Sequence, residues 1–155
     1  MRLALVGIVT LLALAATAGA IMVEQTTADL VDHATVVITG KVLSVEPYYK
    51  DRGLDIICSN AKVKVESTVL GSTAEDVVVV RYYGGELDGT AFVVEDQPRL
   101  RPGDEVVLFL APGDEGTYKC PDDIQSMRLV VDGTVLPEGQ ALTDYLAAVT
   151  AAAGH

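Results

Sequence analysis

The sequence predicts a mainly β fold, and three of its features lead to this prediction. Short apolar stretches with the alternation of strands recur through the middle of the chain. Clusters of glycine and proline separate these stretches. Helical spacing of apolar residues occurs in only two short segments, one before the strands and one after them. We therefore expect a five- to six-stranded antiparallel barrel, with a short helix before it and an amphipathic helix after it.

The first 20 of the 155 residues have the pattern of an export signal. Arg2 provides a positive charge, an apolar stretch follows it, and Ala18 and Ala20 are the small residues that a signal peptidase requires. We expect cleavage before Ile21, which places the protein outside the cell, at the cell surface or in the periplasm. The alternative is a retained anchor, because about 20 apolar residues can span a bilayer. If the signal is cleaved, no membrane span remains.

Residues 21–155 have the size of one domain, and they are strongly acidic. Once Arg2 is removed, ten basic residues stand against 22 acidic ones. Nucleic-acid binding requires clustered Lys and Arg side chains. The local basic cluster around Arg99 and Arg101 is too small for that purpose. We therefore expect no nucleic-acid partner.

Residues 26–34 predict the first helix, because Thr26 is suited to cap it and Asp29 to lie in its first turn. The barrel is expected from about residue 34 to residue 136. Its first strand contains Gly40, after which the apolar phase moves to Leu43 and Val45. A phase change at a glycine indicates a bulge or a sharp bend. Long, bent strands are what small barrels need.

The following strands differ in how many of their faces are apolar. Apolar and charged residues alternate over 61–66, which predicts a half-buried strand after a turn at 51–53. The runs at 77–80 and 106–110 are apolar throughout, which predicts strands buried on both faces. Gly84 and Gly85 end the first of these runs. Shorter strands are expected at 90–94 and 117–120.

A hairpin and a helix complete the predicted fold. Asp132-Gly133 separates strands at 127–131 and 134–136, which is a strong signal for a two-residue turn. The last helix is expected at about 138–152. Its apolar residues recur at helical spacing, at Leu142, Tyr145, Leu146 and Val149.

Cys58 and Cys120 are the two cysteines of the chain. In an oxidising compartment an even pair predicts one disulfide, which would contribute roughly 4 kcal/mol of stability. Two free thiols are the first alternative. A metal site is the second, but zinc requires three or four Cys and His ligands, and the chain has only His33 and His155 beside the cysteines.

No combination of residues indicates catalysis. A nucleophilic site needs a base near the nucleophile, and His33 is the only internal histidine. Acidic pairs that offer oxygen ligands for calcium lack the calcium-loop motif, so we interpret them as solvated surface; they are Glu95-Asp96, Asp114-Glu115 and Asp122-Asp123. We expect no enzyme activity, no cofactor and no metal. The tyrosine doublets at 48–49 and 82–83 indicate either a contact surface or ordinary strand composition.

The order of these stretches resembles a class of small exported prokaryotic proteins. It begins with "ADLVDHATVVITGKVLSVE" and "AKVKVESTVLGS", and continues with "VVVVRYYGGELDG" and "LRPGDEVVLFLAPGDEGTYKC". The pattern is similar to the OB-fold barrel of netrin-like domains and of tissue inhibitors of metalloproteinases, and it covers about residues 28–136. The resemblance implies an OB-type barrel. The mature chain would begin at Ile21, however, whereas those inhibitors begin with a cysteine that reaches the zinc of the target.

These observations predict an exported, non-catalytic binding or interaction domain whose partner is a protein or a surface. The resemblance implies one alternative, a netrin-like protease inhibitor. A structural subunit of a surface filament or layer is the other, because exposed edge strands can pair between chains.

Overall fold

The computed structural model describes residues 22–155, and the predicted export signal lies outside them. The fold is mainly β, with one helix near each end of this range. The helices are α1 (Thr27–His33) and α2 (Leu142–Ala152). The strands are β1 (Val36–Asp51), β2 (Ile56–Leu70), β3 (Val77–Tyr83), β4 (Gly85–Leu87), β5 (Thr90–Phe92), β6 (Glu105–Pro112), β7 (Tyr118–Lys119), β8 (Met127–Val131), β9 (Thr134–Leu136) and β10 (Gln140–Ala141).

Eight of these strands form one sheet, in the order β1-β2-β3-β7-β6-β8-β9-β10, and β4 and β5 form a separate hairpin. A further pairing of β1 with β6 closes β1, β2, β3, β7 and β6 into a ring of neighbours. The ring contains one parallel contact, between Val80 of β3 and Tyr118 of β7. The sheet therefore has more strands than the five or six predicted, and it is not wholly antiparallel.

Two apolar cores share β1 and β6. Ile38 and Leu108 face the core inside the ring, whereas Val37 and Phe109 face a second core, which α1 and α2 cover. The prediction of a β6 buried on both faces is therefore confirmed. The same prediction for residues 77–80 was wrong. Val78 and Val80 are buried, but Val77 and Val79 are only half-buried, because the second core does not extend to β3.

β1 bends at two neighbouring points. It approaches β2 closely at Gly40, and it bulges at Leu43. Pairing with β2 shifts register between Thr39 and Gly40 and again between Val42 and Ser44. Leu43 has no partner on β2 at the second of these shifts, and its side chain is 49% exposed. The predicted irregularity is confirmed, but the inward position expected for Leu43 was wrong. The inward phase resumes instead at Val45, which packs against the inner core.

The ends of the fold follow local sequence signals. Thr26 and Asp29 form a capping box at the start of α1, as the predicted cap requires. Asp132 and Gly133 both have positive φ, 49° and 75°, and join β8 to β9 in the predicted hairpin. The last helix begins at Leu142 rather than near residue 138, because Gln140 and Ala141 pair with β9 before the helix starts.

The predicted disulfide between Cys58 and Cys120 is not formed in the structure, where both are free thiols. Cys58 pairs with Tyr83 on the outer face of β2 and β3. Cys120 follows the end of β7 and packs against the inner core.

Within residues 22–155, every helix is too short or too polar to cross a membrane.

Candidate functional site

Two adjoining grooves open where β1, β2 and β3 meet the loops that follow β5 and β6. The first, which we call the tyrosine groove, has a volume of about 430 Å³ and is lined by Tyr48, Tyr83 and Tyr118 among others. The second, which we call the arginine groove, has a volume of about 470 Å³ and is lined by Arg99 and Arg101 among others. Both are large enough for a small ligand or a short segment of a polymer.

Strand register builds the floor of the tyrosine groove. Tyr48 of β1 pairs with Cys58 of β2, and Cys58 pairs with Tyr83 of β3. Partners on neighbouring strands point to the same face, so these three side chains form a row across the outer side of the sheet. Two register positions along, Asn60 pairs with Arg81 and starts a second row on the same face.

Two cations lie against the tyrosine rings of this floor. The Arg81 guanidinium is 5.5 Å from the centre of the Tyr48 ring, and the Lys50 Nζ is 4.5 Å from the centre of the Tyr83 ring. Lys50 also donates a hydrogen bond to the Tyr83 hydroxyl. A cation over an aromatic ring is attracted by the negative charge of the ring face. These contacts hold both the rings and the charges in place before any ligand arrives.

Arg81 connects the floor to the opposite wall of the groove. Its Nε donates to Asn60 Oδ1 at 3.0 Å, and its Nη1 donates to Glu115 Oε2 at 3.0 Å. Glu115 belongs to the β6–β7 loop, which closes through a 2.8 Å hydrogen bond from the Gly113 N–H to the Thr117 carbonyl. The Arg81–Glu115 pair therefore positions this loop over the groove.

Several ionisable groups of the tyrosine groove have raised pKa values. Burial raises the pKa of the Cys120 thiol to about 12, so this thiol stays protonated and is a poor nucleophile at neutral pH. Burial also raises the pKa of Tyr48. The hydrogen bond to Tyr83 raises the pKa of Lys50, and the bond to Glu115 raises that of Arg81. Both cations therefore remain charged at neutral pH.

Charge is distributed unevenly between the grooves and the rest of the protein. Five of the ten Lys and Arg side chains within residues 22–155 line one groove or the other, against three of the 22 carboxylates. The basic residues are Lys50, Arg81, Arg99, Arg101 and Lys119. The grooves therefore form a locally basic surface on an acidic protein, and this surface favours anionic ligands.

The wall between the two grooves is shared. Tyr82, Tyr83 and Gln97 line both. The Gln97 side chain accepts a 3.3 Å hydrogen bond from the Tyr83 N–H and donates a 2.6 Å bond to Asp123. It thereby ties the β5–β6 loop to β3 and to the segment after β7.

The β4–β5 hairpin borders the arginine groove and is held closely to β1 and β2. Ser59 Oγ donates a buried 2.7 Å hydrogen bond to the Gly84 carbonyl, and the Tyr49 hydroxyl donates at 3.2 Å to the Leu87 carbonyl. A β-carbon on Gly85 would lie 2.7 Å from Ser59 Oγ. A larger residue at position 85 would therefore force the hairpin away from the floor of the groove.

The other residues considered from the sequence lie elsewhere or have structural partners. His33 is half-exposed, and its Nδ1 is 2.8 Å from Asp122, which joins α1 to the loop after β7. Among the acidic pairs, Glu115 binds Arg81 and Asp123 binds Gln97. No group of three or more His, Cys, Asp or Glu side chains within the described part of the chain is arranged to hold a metal ion.

The tyrosine doublets and the Arg99–Arg101 cluster are the sequence features that fall in this region. In the second doublet, Tyr82 is 7% exposed and Tyr83 is 41% exposed, so one member of the pair reaches the surface. Both members of the first doublet are partly exposed. The contributions of Cys58 and Arg81 were missed, because they depend on the register of β2 with its neighbours.

Comparison with known proteins identifies no relative, since the sequence matches neither a protein-family description nor a curated protein.

Proposed function

We propose that the chain is an exported, non-catalytic binding module, and that the tyrosine groove is where it holds its ligand. The observation that carries this proposal is the row of Tyr48, Cys58 and Tyr83 with Lys50 and Arg81 against the tyrosine rings. Tyrosine and arginine are the residues most enriched where proteins contact partners. Preordered side chains also reduce the entropy that binding costs.

The proposed fold type supports the same location. We interpret the ring of β1, β2, β3, β7 and β6 as an OB-type barrel, similar to that of netrin-like domains, in which β6 and β7 are the fourth and fifth strands. The parallel contact of β3 with β7 is the pairing that closes the ring. OB folds bind ligands on the face of strands 2 and 3, between the loops after strands 1 and 4. The tyrosine groove occupies that position.

We propose an acidic oligosaccharide as the ligand class. A tyrosine ring offers a flat apolar face on which a sugar ring can stack, and its hydroxyl offers a polar edge. Lys50, Arg81 and Lys119 supply positive charge for carboxylates. An exported protein would meet such polymers in the envelope or outside the cell.

A titration with two matched sugars tests this proposal. Trigalacturonic acid and the neutral maltotriose are added separately to the ¹⁵N-labelled protein, and amide shifts are followed by NMR. We expect trigalacturonic acid to shift the amides of Cys58, Arg81 and Tyr83, and maltotriose to have a much weaker effect. Equal binding of both sugars, or shifts confined to residues outside the groove, would contradict the proposal.

Arg52 offers a matched control for Arg81. Its guanidinium lies 4.4 Å from the centre of the Tyr49 ring and 4.0 Å from the Asp88 carboxylate, so it makes the same kinds of contact outside the groove. We expect Arg81→Gln to weaken binding of trigalacturonic acid by about tenfold. Arg52→Gln removes the same charge and should leave the affinity within about twofold.

A further inference from the structure

The arginine groove has an edge whose burial alternates in the way that the burial of a strand does. Over residues 98–101 burial alternates, since Pro98 and Leu100 are buried whereas Arg99 and Arg101 are exposed. This is the two-residue period of an extended chain with one face against a core. Leu100 packs into the inner core, and both arginine side chains line the groove.

Arg99 and Arg101 also differ from the other arginines that the structure describes. Arg52, Arg81 and Arg128 each pair with a carboxylate, at 4.0, 3.0 and 2.5 Å respectively. Arg99 and Arg101 pair with none within residues 22–155, although acidic side chains outnumber basic ones two to one. Glu86 is the one carboxylate residue in the lining of this groove.

Main-chain N–H and C=O groups on both sides of the arginine groove are also available for hydrogen bonds to a ligand. Within residues 22–155, Val93 and Arg99 make no backbone-to-backbone hydrogen bond. Such groups in an extended segment can pair with a strand from another chain. The surface between them is apolar, with Val45 and Pro47 in the lining and the Val93 side chain 64% exposed.

From these observations we propose that the arginine groove binds an extended, acidic segment of a partner protein. The segment pairs with the main chain of Arg99 and carries carboxylates at alternate positions. Residues two apart on a strand are about 6.6 Å apart on one face, so the carboxylates of such a segment would have the spacing of an extended Arg99–Arg101 pair. Apolar residues between the carboxylates would face Val45 and Pro47. This second site is independent of the proposed role of the tyrosine groove.

A designed peptide tests the site without knowledge of the natural partner. The probe is a fluorescein-labelled hexapeptide of alternating Glu and Val, and the control probe replaces each Glu with Lys. Binding to the complete mature chain is measured by fluorescence polarisation at low ionic strength. We expect the Glu peptide to bind, the Lys peptide not to bind, and added salt to weaken the complex. If the Glu peptide fails to bind, the proposal is wrong.

A pair of lysines on β2 supplies the matched control variant. Lys62 and Lys64 are also exposed and two residues apart on an extended segment, and they lie outside both grooves. We expect the double variant Arg99→Gln, Arg101→Gln to bind the Glu peptide at least about tenfold more weakly. Lys62→Gln, Lys64→Gln changes the net charge equally and should bind like the wild type. Equal losses in both variants would mean nonspecific attraction and would overturn the proposal.

NMR distinguishes this site from the tyrosine groove. The Glu peptide is expected to shift the amides of Val93 and Arg99 and to bind Arg81→Gln as tightly as the wild type. Trigalacturonic acid serves as a competitor. If it displaces the peptide from Arg99 and binds there more tightly than the peptide does, the groove is a sugar site and the peptide proposal is overturned.

Discussion

A β-carbon on Gly40 would lie 2.6 Å from the carbonyl oxygen of Lys64 on the neighbouring strand. The space beside Gly40 therefore leaves no room for a side chain at this bend of β1. The phase change that the sequence shows at Gly40 therefore reflects the close approach of β1 to β2, and a substitution at Gly40 can test this.

We predict that Gly40→Ala lowers the free energy of unfolding by about 1–3 kcal/mol, because the added methyl group must push β1 away from β2. Urea unfolding followed by circular dichroism measures the change. Gly53→Ala is the control, since a β-carbon there meets only Asp51 Oδ1, at 3.4 Å. If the two variants were equally stable, Gly40 would not limit the approach of the strands.

Leu43 provides a second test of the bend, because its position contradicts the phase expected from the sequence. Its side chain is 49% exposed, whereas the preceding Val42 is 1% exposed. We predict that Leu43→Lys changes the free energy of unfolding by less than about 0.5 kcal/mol. Val42→Lys would bury an unpaired charge and should prevent folding. A strongly destabilised Leu43→Lys protein would place Leu43 in the core and remove the bulge.

These two residues illustrate which parts of the fold are predictable from sequence. The cap at Thr26 and the turn at Asp132-Gly133 were predicted correctly, because both depend on residues within a few positions of one another. The exposure of Leu43 and the half-burial of Val77 and Val79 were not predicted correctly. They depend on strand register and on how far the second core extends, and neither is encoded in a single stretch.

The candidate site is less predictable for the same reason. Tyr48, Cys58 and Tyr83 are distant in sequence and meet only because β1, β2 and β3 pair in one register. The sequence did show the tyrosine doublets and the Arg99–Arg101 cluster. It did not show that they border adjoining grooves, because their neighbourhood is created by the ring of strands and by the loops that close over it.

The capping box of α1 predicts a pH dependence that its residues can test. Hydrogen bonds from the Thr26 side chain and backbone lower the pKa of Asp29 below its ordinary value of 3.8. A lowered native pKa stabilises the fold above the unfolded pKa, and this contribution is lost as the pH falls through the native value. We therefore predict that Thr26→Ala costs about 1 kcal/mol at neutral pH, and that the difference from the wild type narrows in acid.

Urea unfolding at neutral and acid pH, with an NMR titration of the Asp29 carboxyl group, measures both parts of this prediction. Thr27→Ala is the control, because Thr27 lies inside the helix and does not cap it. In Thr26→Ala the pKa of Asp29 should return toward 3.8. A native Asp29 that titrates at or above 3.8 in the wild type would show that the capping box is not formed in solution.

The two free thiols, Cys58 and Cys120, lead to the last prediction. We expect two thiols per chain to react with a chromogenic disulfide reagent when the protein is unfolded without reductant. In the native protein both should react slowly, since Cys58 is 2% exposed and the pKa of Cys120 is about 12. Cys58→Ser should leave one reactive thiol in denaturant, which provides the control for counting.

A disulfide between Cys58 and Cys120 is the competing outcome. A disulfide would leave no reactive thiol in the unfolded chain, and reduction would add the mass of two hydrogen atoms. Cys58 and Cys120 both line the tyrosine groove, and no bond joins their sulfur atoms in the native fold. We therefore expect two reactive thiols per chain, as the free cysteines of the fold require.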